Sequence, residues 1–285
     1  MDLISSSPPL FAAVCGIVGL MMGSFLNVVI SRLPKMMENS WKDQCAELEG
    51  REAEKRPEFN LVIPRSRCDS CGHHISPSDN IPVLSYLLLK GKCRYCKAAI
   101  PSRTAFIEAL SGVLSAYAAW HFGFGMASFG ALILVWAMIP LVFIDMDKQL
   151  LPDSITYPLL WTGLLFNLYG GFVSLEAAVL GAIFGYLSLW TVYWLFKIIM
   201  KKEGMGYGDF KLFAALGAWF GALALLPIIL LSAVAGAAIG IALQFSGLAE
   251  RGKPIPFGPF LATAGLIMLL LGPQRLIAWV LPGGA

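Results

Sequence analysis

The sequence predicts an all-α polytopic membrane protein with about eight transmembrane helices and a small cytoplasmic insert that resembles a zinc ribbon. Hydrophobic residues make up 57% of the 285-residue chain and charged residues only 14%, against about 45–50% and about 25% in soluble domains. Apolar stretches of bilayer-spanning length recur along the chain. This composition excludes a disordered chain, and the net charge of +3 without a basic stripe argues against nucleic-acid binding.

Eight apolar stretches approach the roughly 20 residues that a helix needs to cross a bilayer. They cover residues 9–30, 104–122, 126–144, 153–171, 175–197, 210–224, 226–246 and 257–280. Only Gly221–Pro227 separates the sixth stretch from the seventh. The first stretch is predicted to remain as an anchor, because the Met1-Asp2-Leu3 start lacks a basic region and the apolar run is too long for a signal peptide.

The basic residues predict the orientation of these spans. Of the 21 Lys and Arg residues, 13 lie between Arg32 and Arg103, so this segment is expected in the cytoplasm and the N-terminus outside. Eight spans place most of the later basic loop residues on the same side, and Arg275, near the outer end of the last span, is the exception. These loop residues are Lys148, Lys197, Lys201, Lys202, Arg251 and Lys253.

The apolar stretches and the distribution of basic residues together predict three parts of the chain. Residues 1–31 form an N-terminal anchor helix, residues 32–103 a cytoplasmic insert, and residues 104–285 a bundle of about seven transmembrane helices. Within the insert, the mixed charges of residues 38–58 indicate a solvated linker helix.

Four of the six cysteines form two Cys-x2-Cys pairs, which are separated by 21 residues. Two such turns converge into the tetrahedral four-thiolate site that is typical of structural zinc. Cytoplasmic reducing conditions disfavour the alternative of two disulfides, and four thiolates leave no open position for a catalytic water. His73 and His74 are surplus as ligands, and Cys15 and Cys45 are interpreted as structural. The predicted metal ligands are Cys68, Cys71, Cys93 and Cys96.

Several carboxylates are predicted at the cytoplasmic ends of the apolar spans, where they are costly and need an explanation. Asp153 and Asp209 each precede an apolar run and could be helix N-caps, the preferred interpretation for Asp153. Asp145 or Asp147 could be headgroup-level charges paired with Lys148. Taken together, however, two acids brought close by different helices can share one proton, so that one acts as general base for a water and the other as general acid.

Four motifs occur in order along nearly the whole chain. They are the segment from Gly23 to Pro34, the tetra-cysteine insert, Asp145 followed by Leu151-Pro152-Asp153, and Gly206-Tyr207-Gly208-Asp209. Together they resemble the motifs of the bacterial type IV prepilin leader peptidase/N-methyltransferases, which are membrane-embedded aspartyl proteases. The last motif matches the Gly-x-Gly-Asp signature of such proteases, the third is similar to the first-aspartate motif, and the first two resemble features of the bacterial branch.

The resemblance implies a catalytic dyad of Asp145 and Asp209, supported by Gly206 and Gly208, with Asp147 and Lys148 as electrostatic neighbours or, for Asp147, an alternative dyad member. The implied substrates are prepilins of type IV pili or pseudopilins of type II secretion, which carry a basic leader, a glycine at the cleavage point and an apolar helix that usually starts with Phe. The bilayer is the other partner, and the implied location is the bacterial inner membrane with the active site towards the cytoplasm.

The resemblance also implies that the new N-terminal amine is methylated with S-adenosylmethionine as methyl donor. By similarity, Gly91 lies in a stretch on which methylation depends, although it can equally be a turn glycine of the second cysteine pair. Asn27 and Arg32, in the N-terminal motif, have a structural interpretation near the active cavity: Asn27 bonds another helix and Arg32 extends to the lipid headgroups.

Two other functions are weighed against this one. A proton- or metal-coupled transporter would use Asp145, Asp147 and Asp209 as cation ligands, but it predicts carboxylates near the bilayer midplane rather than at one surface. A non-enzymatic scaffold of a secretion machine would leave the Gly-x-Gly-Asp loop without a role.

Overall fold

The computed structural model describes residues 7–52, 54–202, 204–246 and 255–280, and ten α-helices account for most of them. Strand pairing in these ranges is limited to two isolated bridges, Arg67–His74 and Lys92–Ala99, so the all-α prediction is confirmed for this part of the chain. The helices are α1 (Pro8–Leu48), α2 (Leu84–Leu88), α3 (Ser102–Phe122), α4 (Met126–Lys148), α5 (Asp153–Leu168), α6 (Leu175–Met200), α7 (Tyr207–Phe220), α8 (Ala222–Phe245), α9 (Gly258–Leu271) and α10 (Pro273–Val280).

Four of these helices, α1, α4, α6 and α8, are long and apolar enough to cross a membrane, and α9 with α10 would count as a fifth if the bent pair is one span. The chain is therefore a multi-pass membrane protein by the length and composition of its helices. Helix α7, at 14 residues, is about 21 Å long, which is less than the roughly 30 Å of a hydrocarbon core. The number of eight spans stays a prediction.

Two predicted boundaries are wrong. The sequence predicts a linker over Gly221–Pro227, but in the structure only Gly221 separates α7 from α8, which begins at Ala222. The φ of Gly221 is 80°, a conformation that lets the chain turn within one residue. The last predicted stretch, 257–280, is not one helix: α9 and α10 meet at 109°. Gly272 in a left-handed conformation, followed by Pro273, ends α9 at this point.

The chain separates into two compact units, residues 1–120 and 121–285. In the first unit, α1 does not end near residue 30 but continues to Leu48, so the anchor and the first part of the predicted linker helix are one element. Small residues bring α1 against α3: a Cβ on Gly23 would lie 2.7 Å from the Glu108 Cα, and the Ser111 hydroxyl donates to the Gly19 carbonyl over 2.7 Å.

The second unit is built around α7, which is buried along almost its whole length and packs against α5, α6, α8 and α9. Gly181 of α6 and Gly217 of α7 face each other so closely that a Cβ on either would overlap the backbone of the other. The Trp219 indole N–H donates to the Leu159 carbonyl over 2.9 Å, which fixes α7 against α5. These contacts hold the C-terminal end of α7. Its first turn carries one of the predicted catalytic acids.

We expect Gly181→Ala to destabilise the second unit, because the added methyl group has no space against the Gly217 backbone. The cost expected from overpacking is about 1–3 kcal/mol, measured as a fall in the thermal unfolding midpoint of the detergent-purified protein. Gly125→Ala is the matched control, since no described atom lies within 4 Å of its Cβ position. Equal midpoints for the two variants would contradict the tight α6–α7 contact.

Candidate active site

Two buried aspartates lie at helix ends in the second unit. Asp145 belongs to the last turn of α4 and Asp209 to the first turn of α7, and the two residues are only 5% and 7% exposed. They are close enough for like-charge repulsion between them. The structure thus brings together the two acids that the sequence predicts as a pair, although 64 positions separate them along the chain (209 − 145).

The surroundings of the two acids are made of small groups and one leucine. A Cβ on Gly258, at the start of α9, would lie 2.5 Å from the Asp145 Oδ2 atom and 3.0 Å from Leu151 Cδ1. A Cβ on Gly208 would lie 2.8 Å from the Leu151 Cβ. Leu151 is itself buried, so it fills the space between the α7 turn that carries Asp209 and the α9 start that contacts Asp145.

Gly258 is a site residue that the sequence analysis did not identify. Its only sequence signal is the Gly-Pro pair formed with Pro259, which is typical of a helix start and gives no indication of chemistry. The contact with Asp145 depends on how α9 packs against α4, and no local pattern specifies that packing.

The other predicted carboxylates occupy different positions. Asp147 and Lys148 are exposed on the last turn of α4. The N-cap interpretation is wrong for Asp153 and Asp209, because the caps are Pro152 and Gly206. Asp153 instead pairs with Lys211, whose Nζ lies 2.7 Å from each carboxylate oxygen.

The arrangement of the two acids suits general acid–base chemistry. Two neighbouring carboxyl groups in a water-poor site cannot both be ionised, so they share one proton. The ionised member can take a proton from a water while the protonated member donates to an oxygen or nitrogen of the substrate. The pair needs no metal to do this.

The four cysteines predicted as metal ligands cluster in the insert, with all four sulfur atoms within 4.8 Å of one another. A zinc ion with Zn–S bonds of about 2.3 Å would hold tetrahedral sulfurs about 3.8 Å apart, and the Cys68 and Cys96 sulfurs are 3.7 Å apart. The geometry and the soft donor set therefore fit a zinc ion. All six cysteines of the chain are free rather than disulfide-bonded.

The two cysteine pairs have the same local structure. In the first, the Cys68 N–H donates to the His73 carbonyl, and in the second the Cys93 N–H donates to the Ala98 carbonyl, five residues on in both. The fourth residue after each leading cysteine, Gly72 and Lys97, has a positive φ. This repeated turn directs the two sulfurs of each pair to one side.

Backbone groups already prepare one sulfur of the cluster for metal binding. The N–H groups of Cys71 and Ser70 lower the pKa of Cys68 to about 6, and the thiolate is the form that binds a metal. At Cys96 the Ala98 N–H acts in the same direction, but desolvation and the neighbouring cysteine side chains outweigh it and raise the pKa to about 11. A cation in the centre of the cluster would favour the thiolate form of all four cysteines.

The residues predicted to relate to methylation lie in the first unit. The Asn27 side chain donates to the Thr104 carbonyl over 3.1 Å, so it bonds another helix as predicted. Arg32 donates to the Asn60 carbonyl over 3.0 Å rather than extending freely. Gly91 has a φ of 67°, and a Cβ on it would lie 2.9 Å from the Tyr86 hydroxyl.

Two family models match the chain. Residues 17–122 match the bacterial peptidase A24 N-terminal domain, and residues 132–241 match the type IV leader peptidase family. Among curated proteins, the chain is similar to a prepilin leader peptidase/N-methyltransferase of Pseudomonas aeruginosa, with 52% identity over 96% of this chain and 95% of the relative. A protein of the same name from Aeromonas hydrophila is 49% identical over 99% and 97% of the two chains. No solved structure matches the chain.

Proposed function

Because the chain belongs to the type IV leader peptidase family, we propose that it removes the leader peptide of type IV prepilins or pseudopilins and then methylates the new N-terminal amine. The observation that carries the proposal is the pair of buried aspartates, Asp145 and Asp209, at neighbouring helix ends. The transporter alternative has no support from the relatives, which are named as peptidase/N-methyltransferases.

In the proposed reaction the ionised member of the dyad takes a proton from a water, and the water oxygen attacks the carbonyl carbon of the last leader residue. The protonated member donates its proton to the carbonyl oxygen. Collapse of the tetrahedral intermediate then breaks the C–N bond, and the departing nitrogen takes up a proton from the dyad. Leu151 and the Gly258 backbone enclose Asp145 and reduce the water around it.

The proposed cofactor of the insert is a structural zinc ion held by Cys68, Cys71, Cys93 and Cys96. When bound, it supplies a tetrahedral crosslink between the two cysteine turns and no chemistry at the dyad. The Arg94–Asp79 ion pair, with an Nε–Oδ2 distance of 2.8 Å, adds a second link from the second turn to the 3-10 helix Pro77–Asn80. S-adenosylmethionine is the proposed co-substrate that donates the methyl group.

The proposal includes the topology and location. Eight spans with the N-terminus outside place the insert and both aspartates at the cytoplasmic face of the bacterial inner membrane, and the division into residues 1–31, 32–103 and 104–285 is kept with it. The concentration of basic residues between Arg32 and Arg103 supports this orientation. Prepilins and pseudopilins are the proposed partners, with the scissile bond at the same interface.

The test is an assay of the purified protein with a synthetic prepilin and S-adenosylmethionine, analysed by mass spectrometry. The expected products are the free leader and a mature peptide that carries one additional methyl group on its N-terminus. A substrate that keeps its leader at all enzyme concentrations would contradict the proposal.

We expect Gly258→Ala to slow leader removal by at least about tenfold, because the added methyl group would displace the Asp145 carboxylate by clashing with Oδ2. The measurement is the kcat for cleavage of the synthetic prepilin. Gly236→Ala on α8 is the control, since its nearest neighbour is the flexible Phe260 ring at 3.3 Å. Equal kcat values in the two variants would exclude a role for the close Gly258–Asp145 contact.

A further inference from the structure

A buried carboxylate in the first unit has no part in leader cleavage as described above. Glu108 lies in α3 within the predicted span 104–122 and is only 7% exposed. An acidic side chain at such a position is costly, and when retained it usually marks a functional site with a specific partner.

The contacts of Glu108 are hydrogen bonds from neutral groups. Its Oε2 atom accepts from the Val83 N–H over 2.7 Å, and the Ser24 hydroxyl is a second donor. Among the residues that the structure describes, no Lys, Arg or His side chain pairs with it. The carboxylate is thus positioned by polar groups but lacks a cation.

The backbone at Val83 is in a strained conformation that directs its N–H to this carboxylate. Val83 has a φ of 60° and a ψ of −47°, which a β-branched residue rarely adopts. Such strain persists only where the surrounding structure imposes it, and it clusters at functional sites. The contact therefore indicates a built site rather than incidental packing.

The same contact connects Glu108 to residues that the family resemblance predicts to relate to methylation. Val83 is the N-cap of α2, and Tyr86 of that helix contacts Gly91. On the membrane side, Glu108 packs against Gly23 of the N-terminal motif. All five residues lie within 17–122, the segment that matches the N-terminal domain model and not the leader peptidase model.

We propose that Glu108 binds the α-ammonium group of the cleaved pilin and accepts its proton during N-methylation. This inference rests on the proposed function. Cleavage leaves a cationic amine at the start of an apolar helix, at the cytoplasmic interface, which is the end of the membrane where the proposed topology places Glu108. A buried anion without a cation is complementary to that group.

The amine must lose a proton before it can react, because only its neutral form has a free electron pair. Glu108 takes that proton, and the amine nitrogen forms a bond to the methyl carbon of the sulfonium donor. The carbon–sulfur bond breaks, and its electron pair stays on sulfur, which becomes a neutral thioether. The positive charge passes from sulfur to nitrogen, so the products are a methylated ammonium group, a neutral thioether and a protonated Glu108.

The test compares three variants of Glu108 in the full-length protein, with leader removal and methylation followed on the same prepilin. Glu108→Gln keeps an oxygen that can accept from the Val83 N–H but removes the charge. We expect it to lower the kcat of methylation at least about 100-fold and to leave leader removal unchanged. Glu108→Asp should recover part of the methylation, while Glu108→Ala should lose both the charge and the link to Val83.

Ser111→Ala is the packing control, because it removes an α1–α3 hydrogen bond next to Glu108 without altering any acid, and it should methylate as the unsubstituted protein does. Wild-type rates in Glu108→Gln would overturn the inference, as would an effect confined to the KM for S-adenosylmethionine, which would assign the carboxylate to the sulfonium instead. If the unsubstituted protein cleaves but never methylates, the methyltransferase part of the proposed function fails as well.

Discussion

Asp145→Asn and Asp209→Asn are each expected to reduce leader removal by at least about 1,000-fold. Each substitution leaves an amide that neither takes a proton from water nor donates one as an acid, so the shared proton of the dyad is lost. The measurement is cleavage of a synthetic prepilin by the detergent-purified variants, with initial rates from mass spectrometry. Folding should be retained or improved, because an amide has nearly the volume of a carboxyl group and removes the cost of a buried charge.

Asp147→Asn is the matched control on the same helix. Two residues along an α-helix rotate the side chain by about 200°, which is why Asp145 is buried and Asp147 is exposed. We expect Asp147→Asn to change the cleavage rate by no more than about threefold. If Asp147→Asn is as inactive as Asp209→Asn while Asp145→Asn still cleaves, the dyad contains Asp147 rather than Asp145.

Replacing Cys68 and Cys71 together by serine is expected to abolish zinc binding and to unfold the insert. A four-thiolate site contributes its binding free energy directly to folding, on the order of 10 kcal/mol, and two ligands do not form a closed site. The expected result is a fall from about one zinc ion per chain to none, measured by elemental analysis, with rapid proteolysis between residues 60 and 100.

The double substitution should also distinguish the two activities. Methylation is expected to fall at least about tenfold, because the insert holds Gly91 and Val83 in place. Leader removal should persist at early times, and brief treatment of the unsubstituted protein with a chelator should leave cleavage intact. Cys45→Ser, at an exposed position of the same unit outside the cluster, should keep its zinc. Unchanged zinc content in the Cys68/Cys71 variant would disprove the four-thiolate site.

Local patterns were sufficient to predict the cysteine cluster and most helices. A Cys-x2-Cys pair determines its own turn, since the hydrogen bonds from Cys68 to His73 and from Cys93 to Ala98 are only five residues apart in sequence. Apolar runs similarly predicted a helix near each of the eight stretches. The exact ends were less predictable because they depend on single residues such as Gly221 and Gly272, whose positive φ values are set by packing on both sides.

The sequence alone was sufficient to predict the membrane character of the chain, the four-cysteine cluster and Asp145 and Asp209 as candidate catalytic acids, because each prediction depends on residue types and short motifs. The tertiary structure decided which groups surround those acids. Gly258 reaches Asp145 and Val83 reaches Glu108 only because distant helices and loops pack together. Such contacts are set by side-chain volume and backbone conformation across the whole unit, and a single sequence carries no local signal for them.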